Sequence, residues 1–427
     1  MGAERNTNIV AEGKKRFFHL FRKSGVFAEM EKNIRIPGFL ANGIASGIKA
    51  DGRKDLSLIY SRVPAQAAGV FTTNRFRAAP VILDMERIKS GCVQAIVVNS
   101  GNANASTGDE GYEDACAMSR AVSEALQIEE DLVLVASTGV IGQKLPVEKV
   151  LENVESLVGG LSEEGLPSAE EGIMTTDRFP KIELRTITLE GKEITICGIA
   201  KGAGMIEPNM ATMLSFIMTD AKIEKDCLES VFREGVQRSF NAISVDGCMS
   251  TNDTAIIMAN GLAKNASIHE KSEGLPIFRE ALFDVTMSLA KSIVRDGEGA
   301  TKLIEIVVEG AETASDAKKV AYAVARSNLV KTAFFGEDPN WGRIISAIGS
   351  TGIDLSPESV ELYFEGIPLF SGGKGKGVEG NVKRLAEVMK EDTISVLIRL
   401  EMGTESFQIY TSDLSYEYVK INSLYTS

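Results

Sequence analysis

The stretch Lys201-Gly202-Ala203-Gly204-Met205-Ile206-Glu207-Pro208-Asn209-Met210-Ala211-Thr212 runs directly into Met213-Leu214-Ser215-Phe216-Ile217-Met218. The second part is a mostly apolar run and predicts a buried strand, while two glycines, a proline and an asparagine give the first part the freedom of a turn. A hydroxyl on the first residue of a strand, with a bendable peptide before it, is placed to attack the carbonyl of the preceding residue. Attack by Thr212 Oγ on the Ala211 carbonyl would form an ester, and its hydrolysis would leave a new chain beginning with Thr212. The new α-amine would then stand beside its own hydroxyl as a base, the Thr and N-terminal amine pairing that activates a nucleophile. A Gly-rich turn entering a strand is the plain alternative, and spacing alone leaves both open.

Composition narrows the chemistry around that stretch. The 427 residues are long enough for two or three domains and a large core, and 44% hydrophobic with 25% charged residues is the balance of an ordinary soluble protein. A net charge of −13 disfavours a broad nucleic-acid footprint and favours small-molecule work. The only histidines are His19 and His269, both in charged segments, which removes most reactions that need an imidazole base and the common His-rich zinc sites. Any base is then a lysine, a carboxylate or an amine. Five widely spaced cysteines (Cys92, Cys116, Cys197, Cys227 and Cys248), with no CxxC pair, read as buried reduced thiols of a cytoplasmic protein and not as a metal cluster. The apolar run Phe17-Phe18-His19-Leu20-Phe21 is too short for a signal peptide and is broken by Arg22 and Lys23, so residues 1–34 are expected to be an extension, and no stretch predicts a membrane span.

Along the chain, strands are expected at Leu56–Tyr60, Ala67–Asn74, Ala79–Leu83, Gln94–Asn99, Leu132–Ala136, Ile182–Leu189, Glu193–Ala200, Ala255–Met258, Leu303–Val308, Ile394–Leu400 and Ser406–Thr411. Helices are expected at Tyr112–Ile128, from Pro146 on through Val154, at Lys225–Phe240, Ile277–Arg295, Asp316–Asn328 and Val382–Met389, before a polar tail. Strands and helices mix without strict alternation or repeat, which gives a mixed α/β or α+β class.

Several ordered signatures accompany the opening stretch: Gly47-Ile48-Lys49, Gly69-Val70-Phe71-Thr72-Thr73-Asn74, Asn99-Ser100-Gly101-Asn102-Ala103-Asn104-Ala105, Ser137-Thr138-Gly139-Val140-Ile141-Gly142, Met174-Thr175-Thr176-Asp177, Asp246-Gly247-Cys248-Met249-Ser250-Thr251-Asn252-Asp253 and Asp338-Pro339-Asn340-Trp341-Gly342-Arg343. With these, from about Arg35 to Ser427, the chain resembles the ornithine acetyltransferase family of arginine biosynthesis, also called the bifunctional glutamate N-acetyltransferase family. It departs at Ile421, where the family usually has an acidic residue before Asn422.

The resemblance implies a self-cleaving, N-terminal-nucleophile type of fold, a sandwich of sheets flanked by helices similar to the β-aminopeptidase-like fold. It implies a cut between Ala211 and Thr212, giving an α chain of 35–211 and a β chain of 212–427 that stay together, as an assembly of two of each. Thr212 would carry the acetyl group from N-acetylornithine to glutamate. Thr138 and Gly139 match the oxyanion pair. Thr176, Lys201, Thr212, Glu298, Asn422 and Ser427 match substrate-binding positions, with the choice between Thr175 and Thr176 left open by spacing. No metal or bound cofactor is implied; acetyl-CoA stays open as a second acetyl donor. Two other readings differ in chemistry: an N-terminal-nucleophile aminopeptidase or amidase, in which water takes the acyl group, and an amino-acid-binding protein in which Thr212 is only a strand residue.

Overall fold

A computed structural model describes residues 34–207, 213–376 and 381–424. In chain order its strands begin with β1 (Phe39–Ile44), β2 (Leu56–Phe71), β3 (Cys92–Asn102), β4 (Val133–Val140), β5 (Ile182–Leu189), β6 (Lys192–Lys201) and β7 (Leu214–Thr219). They continue with β8 (Ile243–Ser244), β9 (Thr254–Ala259), β10 (Leu303–Ala311), β11 (Val360–Phe364), β12 (Ile367–Ser371), β13 (Lys374–Gly375), β14 (Thr393–Leu400) and β15 (Glu405–Ser412). One sheet has the order β4-β3-β2-β9-β7-β6-β5, with β1 also on β2, and the other the order β13-β12-β11-β14-β10-β15-β8. The mixed α/β class and the two helix-flanked sheets are as expected.

The first sheet is folded over on itself, and β2 is the hinge of that fold. Its first half, Leu56–Tyr60, pairs with β3, the register slips between Tyr60 and Ala65, and Gln66–Phe71 pairs with β9. Five steps separate β4 from β6 in hydrogen-bonding order, which in a flat sheet is roughly 24 Å. Yet Leu134 and Ala136 of β4 share one buried cluster with Cys197 and Ile199 of β6 and Leu214 and Phe216 of β7. The two halves therefore face each other across a common core, and the carboxyl end of β4 is brought to the carboxyl end of β6. Outside, the helices Lys225–Arg238 and Gly274–Arg295 cover the β6, β7 and β9 half, while Gly108–Leu126 covers β3 and β4. The second sheet carries its own core with the helices Ala314–Arg326, Asn328–Phe335 and Trp341–Gly349.

Some expectations change. Ala79–Leu83 is the start of a helix, Ala79–Arg87, not a strand; Pro80 sits in its first turn, where a missing N–H costs nothing, and five apolar residues are too few to separate the two periods. The strand at 132–136 does not stop at the small polar residues but carries Ser137, Thr138 and Gly139 within it as far as Val140. The tail is helical from Tyr416 to Leu424. Of the cysteines, Cys197 and Cys227 are buried, Cys92 and Cys116 are half-buried and Cys248 is exposed, all as free thiols. Residues 1–33 of the expected extension lie outside the described residues. No helix among the described residues is long and apolar enough to cross a membrane.

Candidate active site

The folding of the first sheet lays β4, β6 and β7 around one place. Lys201 is the last residue of β6 and pairs with Leu214, the first of β7, while Thr138 and Gly139 lie near the end of β4. Lys201 Nζ donates to Thr138 Oγ1 at 3.2 Å, and both residues are buried. A lysine ammonium has only donors, so it takes a lone pair of the hydroxyl and leaves the Thr138 O–H to donate elsewhere, polarised by the charge behind it. Burial draws the Lys201 ammonium below the usual lysine range, and Asp177 opposes that shift. Gly139 has φ +136°, and a Cβ there would stand 2.3 Å from the Gly101 carbonyl carbon and 2.5 Å from Asn102 N, so only glycine fits. Asn252 Nδ2 ties this end of β4 to the loop after β3, donating to Ser137 O at 2.8 Å and Ala103 O at 2.6 Å.

Glu298 follows the Gly274–Arg295 helix and reaches the turn after Lys201. Its N–H donates to Ala203 O at 2.8 Å, and its carboxylate lies against Gly204, where a Cβ would be 2.5 Å from the carboxyl carbon. Asn422, on the C-terminal helix, donates to Glu298 Oε2 at 2.7 Å. Thr175 and Thr176 are both half-buried, and neither hydroxyl makes a hydrogen bond among the described residues. Their loop is held at the site by Asp177, whose Oδ1 accepts from Gly202 N–H at 2.7 Å and whose Oδ2 accepts from Thr175 N–H at 2.9 Å. Thr138, Gly139, Lys201, Glu298, Asn422 and the Thr175-Thr176 loop thus converge. Ala211, Thr212 and Ser427 lie outside the described residues.

Sequence reasoning missed what holds these groups. Lys181, fully buried just before β5, donates to Asp177 Oδ1 at 2.8 Å and to Asp296 Oδ2 at 2.6 Å. Asp296 in turn accepts from Arg178 N and Nε, so one lysine joins the Thr176 loop, the Gly202 turn and the segment bearing Glu298. Burial would push the Asp177 carboxyl up, but the Lys181 and Lys201 ammoniums overcome it and hold the carboxyl below the usual range. Lys49 props the same loop from the other side, donating to Met174 O at 2.7 Å and Lys54 O at 2.8 Å; burial draws it down to about 8. A lysine after a proline reads as solvated in sequence, and only the tertiary fold brings Asp296 to it.

Comparison with known proteins places the chain in a family. The chain is 52% identical over 392 residues to "Arginine biosynthesis bifunctional protein ArgJ" of Geobacter sulfurreducens, covering 92% of this chain and 100% of that protein. It is 50% identical to the protein of the same name from Caldanaerobacter subterraneus subsp. tengcongensis, over 93% of this chain and 99% of the relative. The crystal structure of the arginine biosynthesis bifunctional protein argJ from Bacillus halodurans superposes with a TM-score of 0.48 at 38% identity, over 50% of this chain and 100% of that chain. The protein is an enzyme of the acyltransferase class. It belongs to the ArgJ family, whose profile matches residues 40–427.

Proposed function

We propose that this enzyme moves the acetyl group of N-acetylornithine to glutamate through an ester on Thr212, after cutting its own chain between Ala211 and Thr212. The observation that carries the reading is the contact of Lys201 Nζ with Thr138 Oγ1 at 3.2 Å, beside a Gly139 that tolerates no side chain. It leaves a polarised hydroxyl donor beside a backbone that bears no side chain, the two parts of an oxyanion site, at the end of β4 and against the Lys201 that pairs with the first residue of β7.

In the proposed cycle the Thr212 amine takes the hydroxyl proton as Oγ attacks the acetyl carbonyl. Thr138 O–H and Gly139 N–H donate to the developing oxyanion. The same amine returns the proton to the departing ornithine nitrogen, leaving acetyl-Thr212. Glutamate then attacks the ester with its amine, and its proton passes to Thr212 Oγ by way of the Thr212 amine. Lys201 keeps two N–H groups beyond the one given to Thr138, enough to receive a substrate carboxylate, and Glu298, braced by Asn422, receives the ornithine ammonium. Thr176 and Ser427 complete the substrate contacts in this reading.

The proposed α chain (35–211) and β chain (212–427) contribute neighbouring strands to one sheet, β9 lying between β2 and β7, so a cut would not separate them. An assembly of two α and two β chains, a cytoplasmic location and the use of acetyl-CoA as a second donor belong to the same proposal; the last is supported by the word bifunctional in the relatives' names. Incubation with N-acetylornithine, with and without glutamate, tests the reaction. N-acetylglutamate formation that requires glutamate supports it, and acetate release independent of glutamate makes the enzyme a hydrolase instead. Replacing N-acetylornithine by acetyl-CoA tests the second donor.

A further inference from the structure

The residues on either side of Pro208–Thr212 are both held by one short segment, Asp246–Asp253, and its immediate neighbours. On the upstream side Asp246 Oδ2 accepts from Met205 N–H at 2.6 Å and Oδ1 from Ile206 N–H at 2.9 Å, while Val245 N–H donates to Ile206 O at 2.7 Å. Met205 has φ +56°, a left-handed conformation that a side-chain-bearing residue rarely takes unless its surroundings impose it. Glu207 is fixed as well, by an ion pair with Arg326 and by the Ser244 hydroxyl at 3.2 Å. On the downstream side Asp253 Oδ1 accepts from Met213 N–H at 3.0 Å, and Thr254 N–H donates to Met213 O at 3.1 Å. That Met213 N–H is the amide bonded to the carbonyl of Thr212.

Asp253 has no exposed surface, and its second oxygen, Oδ2, has no hydrogen-bond partner among the described residues. Burying a carboxyl with one oxygen unpaired is unfavourable for the fold alone, and burial pushes it well above the usual carboxylate range against the Met213 N–H, the Thr72 and Ser250 hydroxyls and the Lys201 charge. A buried carboxyl so placed is a candidate functional group. Asp246 is likewise not an ordinary turn residue. Besides Met205 and Ile206 it accepts from Cys248 N–H at 3.2 Å and from Tyr418 O–H at 3.3 Å, which joins it to the helix bearing Asn422.

We propose that the Asp246–Asp253 segment is the template for self-cleavage, with Asp246 and Asp253 as positioning residues that fix the backbone on the two sides of the scissile bond. This rests on the reading that the chain cuts itself between Ala211 and Thr212. An acyl shift from nitrogen to oxygen needs the hydroxyl and the preceding carbonyl at contact distance in one orientation. Holding Ile206 and Glu207 before Pro208–Thr212 and Met213 after it fixes the two points between which that geometry has to form. The bond changes stay within residues 211 and 212: Thr212 Oγ bonds to the Ala211 carbonyl carbon, the Ala211–Thr212 C–N bond breaks, the hydroxyl proton ends on the Thr212 amine, and water then cleaves the ester.

The test follows conversion of the 45.9 kDa chain to two fragments by denaturing gel and intact mass, with a thermal melt of each protein to check folding. The proteins are the wild type, Asp246→Ala, Asp246→Asn, Asp253→Ala and Asp253→Asn. The expected result is that both folded alanine variants mature roughly tenfold or more slowly than the wild type. Asp253→Asn, which keeps an acceptor for Met213 N–H, recovers most of the rate, and Asp246→Asn, which keeps one acceptor of two, falls between. A merely structural role would not produce this graded rescue. Folded alanine variants that mature within about twofold of the wild-type rate overturn the proposal. If the alanine variants do not fold, a folded Asp246→Asn maturing at the wild-type rate overturns it equally. Failure of the underlying reading looks different, because the wild type itself then stays as one chain.

Discussion

Thr138 owes its value as a donor to Lys201. An isolated threonine hydroxyl divides its time between donating and accepting, whereas one that already accepts from a buried ammonium presents its hydrogen to the substrate side. Thr138→Val keeps the shape and removes the donor, and its turnover with N-acetylornithine and glutamate is expected to fall roughly a hundredfold or more, with Thr138→Ser retaining much of the rate. A Thr138→Val enzyme within a few-fold of the wild type would remove this residue from the oxyanion site. Gly204 makes a matching prediction on the substrate side. A Cβ there would meet the Glu298 carboxylate at 2.5 Å, so Gly204→Ala displaces Glu298, and the effect is expected mainly in the KM for N-acetylornithine, measured against an unchanged KM for glutamate. Neither contact is legible in the sequence. The resemblance singles out Thr138, Lys201 and Glu298, but the hydrogen bond to Thr138 and the closeness of Gly204 to Glu298 depend on a sheet folded over on itself.

At the scale of elements, near-continuous apolar runs such as Gln94–Val98, Leu132–Ala136 and Glu193–Ala200 are readable as strands because both of their faces are buried. The fold of the sheet is not readable, because it comes from β2 pairing with β3 along one half and with β9 along the other, partners far apart in the chain. The loops that carry Thr176, Gly202 and Glu298 are joined by Lys181 between Asp177 and Asp296, all three buried. Lys181→Met leaves two buried carboxyls without their common cation and is expected to lower unfolding stability by about 3–5 kcal/mol, read from urea denaturation. A loss below about 1 kcal/mol would mean that the loops are held by packing and not by this lysine.

For the whole molecule, pH acts on stability through Glu170 and Asp177 in opposite senses. Glu170 is buried and accepts from Lys181 N–H at 2.9 Å with one oxygen, and its other oxygen has no hydrogen-bond partner among the described residues; burial pushes its carboxyl up to about 8. The folded protein keeps this proton where the unfolded chain has released it, so the contribution is complete below the ordinary glutamate range and is lost as pH rises toward about 8. Asp177, held low, contributes fully above the ordinary aspartate range and loses that contribution as pH falls below that range toward its depressed folded value. Glu170→Gln copies the protonated acid, so its Tm is expected to match the wild type near about pH 5 and to exceed it at about pH 8; a Tm below the wild type at both would contradict the assignment. The most direct test of the account as a whole is to mix the purified enzyme with N-acetylornithine alone, quench with acid and measure the intact mass of each fragment. The account predicts two fragments, with the one beginning at Thr212 heavier by a single acetyl group on that residue, and loss of that group to N-acetylglutamate when glutamate is added before the quench. An active enzyme that remains one 45.9 kDa chain, or a Thr212 fragment that never carries the acetyl group, would contradict it.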